Sequence, residues 1–228
     1  MRVLDNGDSY SEYLAALAFG KAKYRPDILV PKLITMLDDH DRWVRKGAAE
    51  ALGSYGPTAI EGDNPLLTLI ENEEDEEIRM IAIEAIGRMG SNDEVVVHRL
   101  FRLLKFGERR GPEKARIIDS LSLVGSQAEV LPSFFDLLKT SDDETRISVV
   151  SSLRNLGGSP EVIKTLLDAL KDDSPEVQEG ALRSLAFLGG GARNALPGLK
   201  RLAKSTEDKE LKWAILNAIE AIERDVGK

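Results

Sequence analysis

The sequence contains no cysteine, which excludes disulfide bonds, zinc–thiolate sites and cysteine nucleophiles together. A chain without cysteine suits a reducing compartment, so we expect a cytoplasmic protein. Long apolar runs are also missing, since the longest stretches, such as residues 14–19, are far too short to cross a bilayer. No apolar segment follows Arg2 as it would in a secretion signal. We therefore expect neither membrane insertion nor export.

Aromatic residues are scarce, at 5% of the chain against 31% charged residues. So little bulky material fills a single large core poorly, and in a chain of 228 residues it favours a thin, extended fold. The 39 acidic and 31 basic side chains give a formal net charge of −8. A negative field repels phosphate backbones, so we do not expect nucleic acid as a partner.

Histidine is nearly absent too. Neither His40 nor His98 is followed by a glutamate or by a second histidine four residues on, so we expect no metal site and no cofactor. The acidic run at residues 71–77 lacks the glycine and the closing glutamate of a calcium loop. No G-x-S-x-G elbow and no phosphate-binding Gly-Lys-Ser or Gly-Lys-Thr occurs. The sequence therefore favours a non-catalytic protein.

A motif recurs along the chain, as in Asp41 to Gly56 and again in Asp75 to Gly90. Taking its basic residue as an anchor, equivalent positions lie 35, 34, 35, 32, 32 and 34 residues apart. The seven anchors are Tyr10, Arg45, Arg79, Lys114, Arg146, Gln178 and Lys212. Six residues after each anchor stands alanine or serine, and seven residues after it leucine or isoleucine. With apolar residues three and four after the anchor, this spacing predicts a helix buried along one side.

The ends of these helices are also marked. Four residues before the anchor stand capping side chains, with Arg110 as the exception: Asn6, Asp41, Asp75, Asp142, Ser174 and Asp208. Eleven residues after it stand helix-stopping glycines: Gly56, Gly90, Gly125, Gly157 and Gly189. We therefore expect these second helices of each repeat to begin near residues 7, 42, 76, 111, 143, 175 and 209.

Six further amphipathic segments fit between the second helices, for example residues 29–37, 131–138 and 162–170. Neither helix of such a pair buries its apolar stripe alone, so the pairs must stack. The sequence predicts an all-α, right-handed α-solenoid (α–α superhelix) of about six to seven helical hairpins. We expect it to form a single domain over residues 1–228.

The motif D-x-x-V-R-x-x-A-x-x-A-L-G-x-x-G, following L-x-P-x-L-x-x-L-L, resembles the HEAT-like repeat of phycobilisome lyase subunits. The resemblance covers nearly the whole chain. It implies that Arg45, Arg79 and Arg146 pair with acidic residues of adjoining turns. Lys114 and Lys212 would be weaker versions, and Gln178 and Tyr10 are departures.

The resemblance also implies that the second helices line a concave face on which a protein or peptide partner binds. Its outward positions are Lys46, Glu50, Met80, Glu84, Arg88, Arg116, Asp119, Arg154, Arg183, Trp213 and Asn217. Arginine and tryptophan are enriched in binding hot spots, so the preferred anchors are Arg116, Arg154, Arg183 and Trp213.

Three functions remain open from the sequence. The first is a protein-interaction scaffold without chemistry of its own. The alternative is a subunit resembling the phycobilin lyases, which act on a tetrapyrrole-carrying protein. A HEAT-like DNA glycosylase is a third class, disfavoured by the net charge of −8. Tyr10, Tyr13 and Phe19 in the N-terminal helix, which has no evident first helix before it, also suggest a surface for self-association.

Overall fold

The computed structural model describes residue 4, residues 8–106 and residues 111–226. The regular elements in these ranges are all helices, and no strand occurs in them. The capping residue predicted at Asn6 and the exception at Arg110 lie outside the described residues.

Helices of two kinds alternate along the chain. The second helices, which carry the repeated motif, are α1 (Ser9–Ala22), α3 (Arg42–Tyr55), α5 (Glu76–Met89), α7 (Gly111–Val124), α9 (Asp143–Ser152), α11 (Pro175–Leu188) and α13 (Lys209–Val226). The first helices are α2 (Pro26–Met36), α4 (Asp63–Asn72), α6 (Glu94–Phe106), α8 (Gln127–Thr140), α10 (Pro160–Ala169) and α12 (Leu196–Ser205). Short 3-10 segments, Gly56–Gly62, Leu153–Leu156 and Gly189–Ala195, follow α3, α9 and α11.

The chain divides into two compact units, Met1–Gly125 and Ser126–Lys228. In the first unit, α1, α3, α5 and α7 pack side by side, and α2, α4 and α6 each pack against the second helix that follows. In the second unit, α9, α11 and α13 form the row, and α8, α10 and α12 pack on it in the same way. Each unit is therefore a stack of helical hairpins, and the fold belongs to the α-solenoid class. That the whole chain behaves as one domain stays a prediction.

Local sequence explains where the second helices begin and end. The side chains of Asp41 and Asp142 accept hydrogen bonds from backbone N–H groups in the first turns of α3 and α9, both at 2.8 Å. In α1, the cap is Asp8, and the helix begins at Ser9. At the other end, Gly90 ends α5 with a φ of +67°, a left-handed conformation that disfavours a side chain.

The core of each unit lies along the repeated aliphatic position. Seven residues after the anchor, the side chains are buried in six repeats: Leu52, Ile86, Leu121, Leu153, Leu185 and Ile219. The seventh, Leu17, is only half-buried. The reason is that α1 packs against one neighbouring second helix, α3, whereas α3 and α5 each lie between two.

The small residues six after the anchor are all buried, because neighbouring second helices approach each other very closely there. A Cβ atom added at Gly53 would lie 2.8 Å from the Cα atom of Ala85. Where the small residue is serine, it also bonds across the contact. The hydroxyls of Ser120 and Ser184 donate to the carbonyl oxygens of Ile83 and Val150, both at 2.7 Å.

Arginine anchors tie each repeat to the next. Arg45 donates from Nε and Nη2 to both carboxylate oxygens of Glu73, at 2.6 and 3.1 Å. Arg79 binds Glu113 in the same bidentate way at 3.0 and 3.2 Å, and Nη1 of Arg79 reaches the backbone carbonyl of Glu73 at 3.0 Å. Nη1 of Arg79 thus binds the turn before the helix, while Nε and Nη2 bind the neighbouring repeat.

The same arrangement recurs in the second unit. Arg146 binds both carboxylate oxygens of Asp172, and its guanidinium lowers the pKa of that carboxyl. Gln178 replaces an arginine but keeps one of its bonds, because its side-chain amide donates to the backbone carbonyl of Asp172 at 2.6 Å. Lys114 and Lys212 form no ion pair with a described residue.

One buried carboxyl has no such cation. Asp63, the first residue of α4, is 3% exposed, and its Oδ1 atom has no hydrogen-bond partner among the described residues. Burial raises the pKa of this carboxyl to about 6, a hydrogen bond with Ser91 opposes the shift, and the nearby charge of Asp93 adds to it. Because the folded state favours the protonated form, stability is lost as the pH rises through about 6.

Removing Arg79 should be strongly destabilising, because the side chain of Glu113 is only 2% exposed and would lose both hydrogen bonds from the guanidinium. We expect Arg79→Ala to lower the free energy of unfolding by about 3–5 kcal/mol in urea titrations. As a control, Arg224→Ala breaks a pair with Glu220 in which the side chains are 68% and 70% exposed. That loss should stay below about 1 kcal/mol. Equal losses in the two variants would contradict the role of Arg79.

Asp63→Asn should remove the loss of stability that wild type undergoes with rising pH. We expect the variant to exceed wild type by about 2–3 kcal/mol at neutral pH and the difference to vanish below about pH 4. Urea titrations of both proteins across this range measure the difference, in which the contributions of the other carboxylates cancel. Glu61→Gln, a change at an exposed neighbour, is the control. A pH-independent difference for Asp63→Asn would show that the carboxyl ionises normally.

Candidate functional site

We call the outward side of the second helices the second-helix face. Helices α3, α5 and α7 carry predicted binding residues of the first unit: Lys46, Glu50, Met80, Glu84, Arg88, Arg116 and Asp119. Predicted binding residues of the second unit are Arg154 in the 3-10 segment after α9, Arg183 on α11, and Trp213 and Asn217 on α13. That a partner binds this face remains a prediction.

In the first unit, four of the predicted residues share one groove. Lys46 and Glu50 of α3 face Glu84 and Arg88 of α5 across a cavity of about 220 Å³. Gly53 and Ala85, where the two helices approach closely, also line the cavity. The groove therefore offers alternating charges over a small apolar floor.

Most charges of this groove are already paired within the protein. Lys46 Nζ lies 2.5 Å from Glu77, and Glu84 receives both Arg88 at 2.5 Å and Arg116 at 3.0 Å. A partner must compete with these pairs, which reduces what each charge contributes to binding. Glu50 differs, because its side chain forms no ion pair with a described residue.

An aromatic cluster flanks the groove. Tyr10, Tyr13 and Trp43 lie with ring centroids 5.6–6.0 Å apart, and the Nζ atom of Lys46 lies 5.3 Å from the Trp43 centroid. Burial, followed by the charge of Glu50, raises the pKa of Tyr13. Trp43 is 37% exposed, so it packs against the edge of the repeat with part of its ring in solvent.

The second unit presents a different surface. The guanidinium carbon of Arg154 lies 5.1 Å from the ring centroid of Phe187, in a cation–π contact between α11 and the segment after α9. Phe187 is 70% exposed, Trp213 69% and Leu216 50%. Large apolar side chains are therefore in solvent on α11 and α13. Arg183 pairs with Glu179 of its own helix and keeps 73% of its side chain exposed.

Sequence reasoning overlooked Phe187 and Leu216. Phe187 lies nine residues after Gln178, which is an outward position in the repeat, so the pattern itself could have identified it. Leu216 lies four residues after Lys212, a position that the pattern assigns to the core. It is exposed because α13, like α1, packs against only one other second helix of its unit.

The described ranges contain neither a cluster of metal-ligating side chains nor a membrane-spanning helix. No three histidine, aspartate or glutamate side chains there stand close enough together to hold a metal ion. No described helix combines the length and the apolar character needed to span a membrane.

Comparisons with known proteins agree with this architecture. Family models of HEAT repeats match residues 109–174 and 131–220, and a HEAT repeat model matches residues 29–59. The complex of CpcE and CpcF of phycocyanin lyase from Nostoc sp. PCC7120 is similar over 97% of this chain and 92% of that chain, with 18% identity and a TM-score of 0.57. No protein with a curated description matches the chain in sequence.

Two more solved structures show the same fold. The archaeal HEAT-like repeats protein from Thermococcus onnurineus NA1 covers 94% of this chain and 93% of its own, at 14% identity and a TM-score of 0.52. Kap95p, in a complex with RanGDP, matches 97% of this chain with 35% of its own length, at 13% identity and a TM-score of 0.58. At identities this low, the similarity shows the fold alone, which is that of the α-solenoids of stacked helical hairpins. The HEAT repeat models, which together match residues 29–59 and 109–220, show that the chain belongs to the HEAT repeat family.

Proposed function

We propose that this protein is a non-catalytic scaffold that binds a protein or peptide partner through its second-helix face. The observation that supports it most is the exposure of Phe187, Trp213 and Leu216 on α11 and α13. Exposed aromatic side chains close to arginine are typical of binding hot spots. The core of the fold does not need these side chains, because the repeated aliphatic positions are buried without them.

Charge supports a protein partner over nucleic acid. The chain has a net charge of −8, and the predicted cations Arg88, Arg116 and Arg183 each pair with a glutamate. Phosphate binding would require segregated, unpaired cations. We also propose a cytoplasmic location, on the ground that the chain contains no cysteine.

A second candidate is a subunit resembling the phycobilin lyases. It is favoured by the similarity to the CpcE–CpcF complex over 97% of this chain. Repeat architecture reports fold and not chemistry, so this candidate must be tested on the ligand. A lyase-like subunit should change the visible absorbance of phycocyanobilin on mixing, whereas a scaffold should leave it unchanged.

To test the scaffold, proteins captured from the source lysate are identified, and the affinity of each purified protein for the chain is measured. We expect Phe187→Ala combined with Trp213→Ala to weaken the affinity of the partner at least about tenfold, since truncated hot spots lose roughly 2 kcal/mol or more. The matched control combines Ile60→Ala with Phe106→Ala, two exposed apolar side chains outside the second-helix face. Equal weakening by both pairs, or by neither, would contradict binding at this face.

We further propose that the chain self-associates through α1. Tyr10 and Leu14, one turn apart on this helix, are 55% and 48% exposed, and Lys21 lies on the same stripe near the other end. In an antiparallel pair of α1 helices related by a two-fold axis, Leu14 would lie near the centre of the contact, and Tyr10 of one copy would lie near Lys21 of the second. The exposed stripe is thus apolar over its first half and carries a cation near its other end.

Leu14→Glu should abolish this association, because it places a carboxylate in the centre of the apolar stripe. Sedimentation velocity should show wild type at twice the chain mass of 25.1 kDa at high concentration and the variant at the chain mass. Ile60→Glu, a similar change at another exposed residue, should sediment at the same mass as wild type. A wild-type protein that remains monomeric would contradict the proposal.

A further inference from the structure

A groove lies between the first helices α8 and α10 of the second unit, away from the second-helix face. Its volume is about 520 Å³. Phe135 and Leu138 of α8 line it together with Thr165 and Ala169 of α10, and most of its surface is apolar although charged residues surround it. The side chains of Phe135 and Leu138 are half-buried, so part of their apolar surface faces the groove.

Two other gaps between neighbouring first helices are bridged by side chains. In the first unit, Arg99 of α6 reaches Glu71 at 2.9 Å and Asn64 at 3.2 Å, and so bridges α6 to α4. In the second unit, the methyl groups of Leu167 on α10 pack at Gly198 of α12, 3.4 Å from where a Cβ atom would stand. Neither device bridges α8 to α10, and the gap between them stays open.

The groove is elongated. Its lining on α10 runs from Glu161 through Lys164, Thr165 and Asp168 to Ala169. These residues are spaced as one face of a helix, and at 1.5 Å per residue they extend about 12 Å along α10. An apolar trough of this length between two helices suits a helical ligand of two to three turns.

The walls of the groove carry cations on both sides. Lys139 of α8 and Lys164 of α10 form no ion pair with a described residue. Asp168 is held by Lys171 at 2.9 Å, and Asp172 is held by Arg146. Towards one end, the lining includes a single acidic side chain outside these pairs, Glu161. The unpaired charge at the walls is therefore positive in a protein of net charge −8.

We propose that this groove binds an amphipathic helix of a partner protein, with acidic residues along one flank. Its apolar residues at i, i+3 or i+4 and i+7 pack on Phe135 and Leu138, and the acidic flank faces Lys139 and Lys164. The site lies on the first helices, so it is separate from the proposed hot spot at Phe187 and Trp213.

The test is selection of phage-displayed helical peptides on the full-length protein, followed by anisotropy titration of the enriched peptides. We expect the enriched peptides to carry apolar residues at helical spacing and acidic residues along one flank. Lys139→Glu combined with Lys164→Glu should weaken these peptides at least tenfold. The matched control is Arg201→Glu combined with Lys204→Glu, two exposed cations on the neighbouring helix α12. The control should retain wild-type affinity, and both variants should keep the helical circular dichroism of wild type.

Other results would overturn the proposal. These are no enriched peptide, enriched peptides with basic flanks, or equal weakening by both pairs of substitutions. A scrambled peptide of the same composition that binds as tightly would show attraction by charge without use of the groove. Loss of peptide binding in the Phe187→Ala, Trp213→Ala variant, with binding kept in the Lys139→Glu, Lys164→Glu variant, would assign the peptide to the second-helix face. Binding of laurate, with no peptide bound, would make the groove a lipid site.

Discussion

Neighbouring second helices approach so closely that a methyl group added at Gly53 would lie 2.8 Å from the Cα atom of Ala85. This contact sets the spacing of the row, and the aliphatic side chains seven residues after each anchor fill the space that the spacing leaves. It also explains why alanine and serine alone occupy the position six residues after the anchor. Serine fits because its hydroxyl finds a carbonyl on the neighbouring helix, as Ser120 does with Ile83. A buried hydroxyl without that partner would be unfavourable.

The arginine anchors add direction to this packing. A guanidinium has five N–H donors in a rigid fork, so Arg79 can hold the carboxylate of Glu113 and the carbonyl of Glu73 at once. Lysine lacks the fork, and Lys114 and Lys212 make no equivalent pair with a described residue. The glutamine at Gln178 retains only the bond to the carbonyl. The repeats thus differ in how firmly they are tied, although their core positions are alike.

The fold could be predicted from the sequence because single residues of a characteristic type recur at fixed positions of each repeat. Caps such as Asp41, stops such as Gly90 and core residues such as Leu52 each occupy one position of the repeat, and each acts locally. Contacts between repeats are harder to foresee, since they join residues 26–37 positions apart, as in the pairs of Arg146 with Asp172 and of Ser120 with Ile83.

For the candidate site, the pattern indicated which positions of a second helix lie outward but not which charges are already paired. The exposure of Leu216 depends on how many helices surround α13, which no single repeat records. The open groove between α8 and α10 could not be predicted either. No described side chain bridges this gap, and the amphipathic pattern of a first helix is the same whether a bridge exists or not.

The second-helix face is not uniform along the chain, and this bears on where a partner gains most affinity. In the first unit, glutamates satisfy the outward cations, so a partner that displaced them would lose about as much as it gained. In the second unit, covering Phe187 and Trp213 removes apolar surface from water without breaking an ion pair, apart from the contact with Arg154. Apolar burial is favourable in proportion to area. A partner should therefore gain more affinity from Phe187 and Trp213 of the second unit than from the paired charges of the first.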